Sequence, residues 1–136
     1  MIEYTVKVNN GTKSWYLNGK KHREDGPAVE YANGYKSWYI NGELHREDGP
    51  AIEYSDGDKY WFINGERHRE DGPAIENANG TKYWYLSGVK CTEEEHYNKL
   101  NPAKELTMSE LVKELGYNVE ELVKELGYNV KIVKGE

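Results

Sequence analysis

The chain has little of what usually fills a globular core. A single cysteine, Cys91, stands among 136 residues, which excludes an internal disulfide and reads as a reducing, cytoplasmic setting. No eighteen consecutive residues are apolar, so no membrane-spanning helix is expected. The opening MIEYTVKVNN has neither the basic stretch nor the apolar run of an export signal, and the Asn-Gly-Thr sequons at Asn10 and Asn79 are therefore read as turns only. Phenylalanine occurs once and methionine twice, whereas tyrosine occurs 12 times and tryptophan four. Amphipathic aromatics suit an extended slab better than a leucine-filled interior. Positive charge is also scarce, with 18 Lys and Arg against 24 Asp and Glu and a net charge of −6. Residues 1–92 hold 12 basic against 14 acidic side chains and residues 93–136 hold 6 against 10, so no segment offers phosphates a basic footprint.

What the chain does have is a unit of 23 residues written nearly four times, at 10–32, 33–55, 56–78 and, cut short, 79–90. A fixed period of this kind predicts a quasi-one-dimensional array in which each unit buries its apolar face against its neighbours. In the first unit Ser14-Trp15-Tyr16-Leu17 alternates with period two and ends at Asn18-Gly19, the dipeptide that best fits a type I′ hairpin turn. A return segment carries Lys20 to Arg23, breaks at Asp25-Gly26-Pro27, and resumes as Ala28-Val29-Glu30-Tyr31 before a turn at Asn33-Gly34. The expected fold is mainly β: an extended antiparallel β-meander, two main strands per unit, with a small helical carboxy-terminal segment. Alternation places Trp15, Trp38, Trp61 and Trp84 on one face with Leu17, Ile40, Ile63 and Leu86, read as the core face, and Tyr16, Tyr39, Phe62 and Tyr85 on the other.

The ends differ from the middle. Residues 1–9 open the array as a capping strand, in which Ile2-Glu3-Tyr4 echoes the Ala-Ile-Glu-Tyr half-unit. From residue 91 to 136 the repeat gives way to a tail. There Thr92-x-x-Glu95 and Thr107-x-x-Glu110 are capping boxes that start helices, and Gly116 should stop the second. The ten residues ELVKELGYNV occur at 110–119 and again at 121–130. Leu111, Leu115, Leu122 and Leu126 then line two short amphipathic helices, and Val130-Lys131-Ile132-Val133 reads as a strand whose free edges seek either the last strand of the array or a second chain. Self-association through Leu111, Leu115, Leu122, Leu126 and Ile132, giving a homodimer, is the favoured expectation.

Within the array His22, His45 and His68 precede Asp25, Asp48 and Asp71 by three residues, a combination that could bind zinc or move protons. Repetition favours a structural reading, since a structural bond is needed in every unit and a catalytic group only once. Each His is expected to bond a turn carboxylate or backbone, and Arg23, Arg46 and Arg69 to pair with Glu30, Glu53 and Glu76. In Asp-Gly-Pro the glycine is expected at positive φ, while proline fixes φ where no donor is needed. No metal, cofactor or catalytic residue is assigned.

The run Tyr-x-Asn-Gly-x-x-His, at Tyr16 to His22, Tyr39 to His45 and, with Phe62, to His68, resembles the MORN repeat over about residues 10–90. That resemblance implies a hairpin-by-hairpin sheet and, from the family, phospholipid association, although the usual His-Gly-x-Gly continuation is replaced by His-Arg-Glu-Asp-Gly-Pro-Ala. The longer WYxNGxxHREDGPA unit looks like that of repeat proteins of tailed bacteriophages and large DNA viruses, some with a similar Leu-Gly-Tyr-x-Val-Lys-Ile-Val ending. This second likeness implies a viral accessory protein acting in the host cytoplasm. The segment from Ser109 to Lys124 also resembles the short helical module at the amino terminus of bacterial translation initiation factors and, more loosely, a helix-turn-helix.

The expected function is that of a non-enzymatic scaffold that binds and inhibits a host protein, a defence enzyme being the economical target. Tyr16, Tyr39, Phe62 and Tyr85, with Tyr31 and Tyr54, are the expected contact stripe. Two alternatives stay open. One is a sponge for a nucleotide-like signal, stacked on tyrosine and clamped by Arg23, Arg46 or Arg69; the other is a nucleic-acid regulator acting through the tail.

Overall fold

A computed structural model describes residues 2–107, 110, 113, 116, 124 and 130–133. The chain divides into two compact units, 1–96 and 97–136. In the first, β1 (Thr5–Asn9), β2 (Thr12–Leu17) and β3 (Lys20–Lys21) open a mainly antiparallel sheet. The second repeat supplies β5 (Lys36–Ser37), β6 (Tyr39–Ile40) and β7 (Glu43–Leu44) after β4 (Val29–Glu30), and the third supplies β9 (Lys59–Tyr60), β10 (Phe62–Ile63) and β11 (Glu66–Arg67) after β8 (Ile52–Glu53). The array then closes with β12 (Ile75–Glu76), β13 (Lys82–Leu86), β14 (Val89–Cys91) and the helix α1 (Glu93–Leu100). The sheet runs β1-β2-β4-β5-β8-β9-β12-β13-β14, with β3 also on β2, while β6-β7 and β10-β11 form separate hairpins.

Each internal repeat is therefore cut finer than the expected two strands. The break falls at tryptophan: the Trp38 N–H donates to Ala51 O at 2.8 Å, and Trp38 O accepts from the His45 N–H at 3.1 Å. Trp38 thus belongs to the sheet through its donor and to the hairpin through its acceptor. The hairpins turn on Asn-Gly as the sequence predicts, with φ of 50° at Asn41 and 84° at Gly42, the two positive values a type I′ turn requires.

Register is fixed by two rows of opposite character. Along one, Lys13, Glu30, Lys36, Glu53, Lys59, Glu76 and Lys82 face one another strand by strand with alternating sign. Along the other run Ser14, Val29, Ser37, Ile52, Tyr60, Ile75 and Tyr83. A slip of one residue would exchange charged for apolar neighbours all along the sheet.

The second row marks the core, and here the expectation of a Trp/Leu core face is corrected. The buried apolar residues are Ala28, Val29, Ala51, Ile52, Ala74 and Ile75, with Ser37 also buried, whereas Trp15, Trp38, Trp61 and Trp84 are only half-buried. The alanines and β-branched residues of the seam are enclosed because successive half-units pair there at sheet spacing, while the tryptophans stand at the junction of sheet and hairpin.

At the ends, β1 begins at Thr5, so the Ile2-Glu3-Tyr4 echo of the half-unit lies outside the strand. At the other end the Glu95 N–H donates to Thr92 Oγ1 at 3.1 Å, the expected cap of α1. His96 is buried and its Nε2 lies 2.6 Å from Arg69 O.

In the second unit, Val130–Val133 (β16) pairs in parallel with β15 (Lys104–Thr107). One edge is thereby taken by a strand that the sequence pattern does not announce. The Thr107 capping box forms reciprocally: the Thr107 N–H donates to Glu110 Oε2 at 2.7 Å, and the Glu110 N–H to Thr107 Oγ1 at 3.2 Å. Gly116 has a φ of 67°, the left-handed geometry of a helix end. Leu111, Leu115, Leu122 and Leu126 lie outside the described residues, and of Ile132 only the strand position is described.

Candidate functional site

The His-Arg-Glu-Asp-Gly-Pro loop is where the repeated polar residues meet. His45 Nδ1 accepts from the Asn64 N–H, and His22 and His68 repeat the bond with Asn41 and Ser87. The first residue of a type I′ turn has no hairpin partner for its N–H, so each unit supplies an acceptor to the next. Because Nδ1 accepts, the ring hydrogen sits on Nε2, and that nitrogen lies 3.5, 3.6 and 3.7 Å from Glu24, Glu47 and Glu70.

The three arginines stack on tryptophan: the guanidinium carbons of Arg23, Arg46 and Arg69 lie 4.0, 3.9 and 3.9 Å from the ring centres of Trp15, Trp38 and Trp61. Arg46 Nε donates to Asp48 Oδ1 at 3.0 Å and Nη1 to Pro50 O at 3.1 Å and Glu53 Oε1 at 3.2 Å. Arg69 reproduces the set with Asp71, Pro73 and Glu76, and Arg23 with Asp25 and Pro27, its Glu30 contact lengthening to 3.9 Å. Two guanidinium nitrogens of each arginine are thus engaged inside its own loop. What this builds is a folded loop that holds each arginine in place through Nε and Nη1.

The glycine in this loop corrects another expectation. Gly26, Gly49 and Gly72 are absent from the positive-φ positions among the described residues. A Cβ there would instead approach the guanidinium carbon of Arg23, Arg46 or Arg69 to 3.0, 2.9 or 2.8 Å. Glycine is needed so that arginine can lie flat between its own loop and the indole.

The expected aromatic stripe divides in two. Tyr16, Tyr39, Phe62 and Tyr85 are half-buried in the hairpins. Cations cover them: Lys7 over Tyr16 at 4.7 Å, Lys21 over Tyr39 at 5.1 Å, and Arg67 between Phe62 and Tyr85 at 5.9 and 5.4 Å. Tyr31 and Tyr54 belong to a different cluster, in which the rings of Tyr31, Tyr35, Tyr54 and Tyr60 follow one another edge to face at 5.1 to 5.2 Å. Tyr31 is 47% and Tyr54 38% exposed. Burial raises the Tyr54 phenol above its ordinary value, with Tyr35, Tyr60 and Asp58 adding to the rise and Arg67 opposing it. Tyr39 is raised by burial and by Tyr35 and Tyr31, against a hydrogen bond with Ser37.

Between consecutive loops lie open grooves the sequence reading did not identify. The first, of about 730 Å³, has Trp38 and Ile40 as its floor and Glu24, Asp25, Glu47 and Asp48 around it; the second, of about 620 Å³, repeats it on Trp61 and Ile63. A third lies over Trp15 beside Tyr4 and Val6. The signal in the sequence was the unvarying Arg-Glu-Asp after each histidine.

No group of three or more His, Cys, Asp or Glu side chains is arranged to hold a metal among the described residues, and no described helix is long and apolar enough to cross a membrane. No family model, curated protein or solved structure matches the chain.

Proposed function

We propose that the chain is a non-enzymatic repeat scaffold that binds a partner protein through the tyrosine cluster. The observation that carries this reading is the edge-to-face run Tyr31, Tyr35, Tyr54 and Tyr60 with two of its rings exposed. Rings that brace one another lose little freedom on binding and offer both apolar area and hydroxyls, the qualities of an interface anchor. The likeness of the unit to MORN repeats supports the scaffold. Its likeness to viral repeat proteins supports a partner in an infected host's cytoplasm, and occupation and inhibition of a host defence enzyme is the action most in keeping with that setting. The tail adds self-association to this proposal.

The test is a pull-down from host lysate followed by reconstitution with the purified partner. Tyr31→Ser with Tyr54→Ser should abolish binding and inhibition while leaving the circular dichroism spectrum unchanged. If the double variant still binds, the cluster is not the site. Depletion of a small molecule from extract, with release on heating, would replace this reading with ligand capture in the inter-repeat grooves, whose volumes fit a small ligand.

A further inference from the structure

We infer that the row of grooves on the first compact unit is a second binding surface, made for a basic polyproline-II segment of a partner protein with Lys or Arg at every third position. Charge gives the sign of the ligand. The two inter-loop grooves share the middle loop, and across the three loops six carboxylates meet three guanidinium groups; with Arg23, Arg46 and Arg69 held by Asp25, Asp48 and Asp71, Glu24, Glu47 and Glu70 remain as a surplus of three negative charges along the row. The side chains of Glu24, Glu47 and Glu70 are 76%, 84% and 70% exposed, and beyond a long contact to the neighbouring histidine at 3.5–3.7 Å they face solvent where a cation can meet them. The lining holds an indole beside an isoleucine; the loop's own arginine covers the indole at 3.9 Å, and the isoleucine with the uncovered part of the ring would take the methylene stem of Lys or Arg while the charged head reaches the rim.

Spacing gives the backbone of the ligand. Each unit adds two strands to the sheet, so grooves recur at about 9.6 Å, twice the inter-strand distance. A polyproline-II helix returns a side chain to the same face every three residues, about 9.3 Å. An extended strand alternates faces with period two, so its every third residue points away from the grooves. An α-helix returns after seven residues at about 10.5 Å and falls about 1.8 Å out of step across three grooves. A polyproline-II backbone also leaves its polar groups in water, which suits an open groove.

The probe is a peptide of four Lys-Pro-Pro triplets, compared with one of the same composition whose lysines are clustered at one end. Binding is read at low salt by the fluorescence of the protein's own tryptophans. The spaced peptide should bind about tenfold tighter than the clustered one, and the triple change Glu24→Gln, Glu47→Gln, Glu70→Gln should weaken it about tenfold, the sum of three exposed charge contacts. The Tyr31→Ser, Tyr54→Ser variant should bind it unchanged, which separates this surface from the tyrosine cluster. Equal affinity for the two peptides, no binding, or indifference to the triple change would overturn the inference. So would tighter binding of a helical peptide with lysine every seven residues.

Discussion

His45 Nδ1 accepts the backbone N–H of Asn64, 19 positions later in the chain, at 3.0 Å. The bond crosses from one repeat to the next turn and occurs three times, so the histidines act as latches between units. The latches are unequally buried, His22 being only 4% exposed, and this sets their expected worth. His45→Ala should cost about 1 kcal/mol, a single hydrogen bond at a partly wet site. His22→Ala should cost roughly 2–3 kcal/mol, because it also leaves a cavity. Chemical denaturation of the two variants measures the order, and a larger loss at His45 would show that burial does not control the latch.

Gly49→Ala should destabilise by about 1–2 kcal/mol, since its Cβ would stand 2.9 Å from the Arg46 guanidinium carbon and push that group off Trp38. In an Arg46→Ala background the same change should cost almost nothing. A double-mutant cycle reads this directly; additive losses would mean that glycine serves the backbone there and not the arginine.

The core prediction concerns the seam of small residues. Ile52→Ala should cost about 2–5 kcal/mol, at least as much as Trp38→Ala. Ala51→Leu should destabilise by roughly 1–3 kcal/mol although it adds apolar surface, because the site is full. A stable Ala51→Leu variant would return the core to the tryptophan face.

Much of this was legible beforehand and some was not. The period, the Asn-Gly turns and the caps at Thr92 and Thr107 are local features, and Asn41-Gly42 or Thr92-Glu95 need only their own neighbours to act. The core was misread because the largest apolar residue, Trp38, is the obvious candidate for burial, yet burial falls to Ala51 and Ile52 through pairing between half-units that no local window contains. The role of Gly49 was hidden for the same reason, since it depends on where the Arg46 side chain lies. Lys104–Thr107 carries no strand pattern of its own and becomes one only through Val130–Val133.

Alkaline pH should loosen the array. Tyr39 and Tyr54 hold their protons above the ordinary value of 10.0, so their contribution is complete below about pH 10 and is lost as pH rises through the higher folded-state values, where the unfolded chain has already ionised. Stability measured against pH should fall above about 10, and Tyr54→Phe should make that fall shallower. An unchanged slope would mean that the Tyr54 phenol is not held by its neighbours.

For the tail, truncation after Asn101 should turn a homodimer into a monomer while the repeats stay folded. Light scattering on the full-length and shortened chains decides it. A monomeric full-length chain at high concentration would withdraw the dimer.

Each seam between units is made by the same backbone bonds, the Arg23 N–H to Tyr39 O and the Gly42 N–H to Lys21 O and their counterparts one and two units along, while the side chain beside the ring varies from Lys21 to Leu44 to Arg67. Unit number is therefore a free variable. Recombination between the near-identical repeats could insert or delete one block of 23 residues, lengthening or shortening the array by about 10 Å without creating a backbone pairing the fold does not already contain. Reach could evolve in this way by counting, while the backbone bonds of each seam stayed as they were.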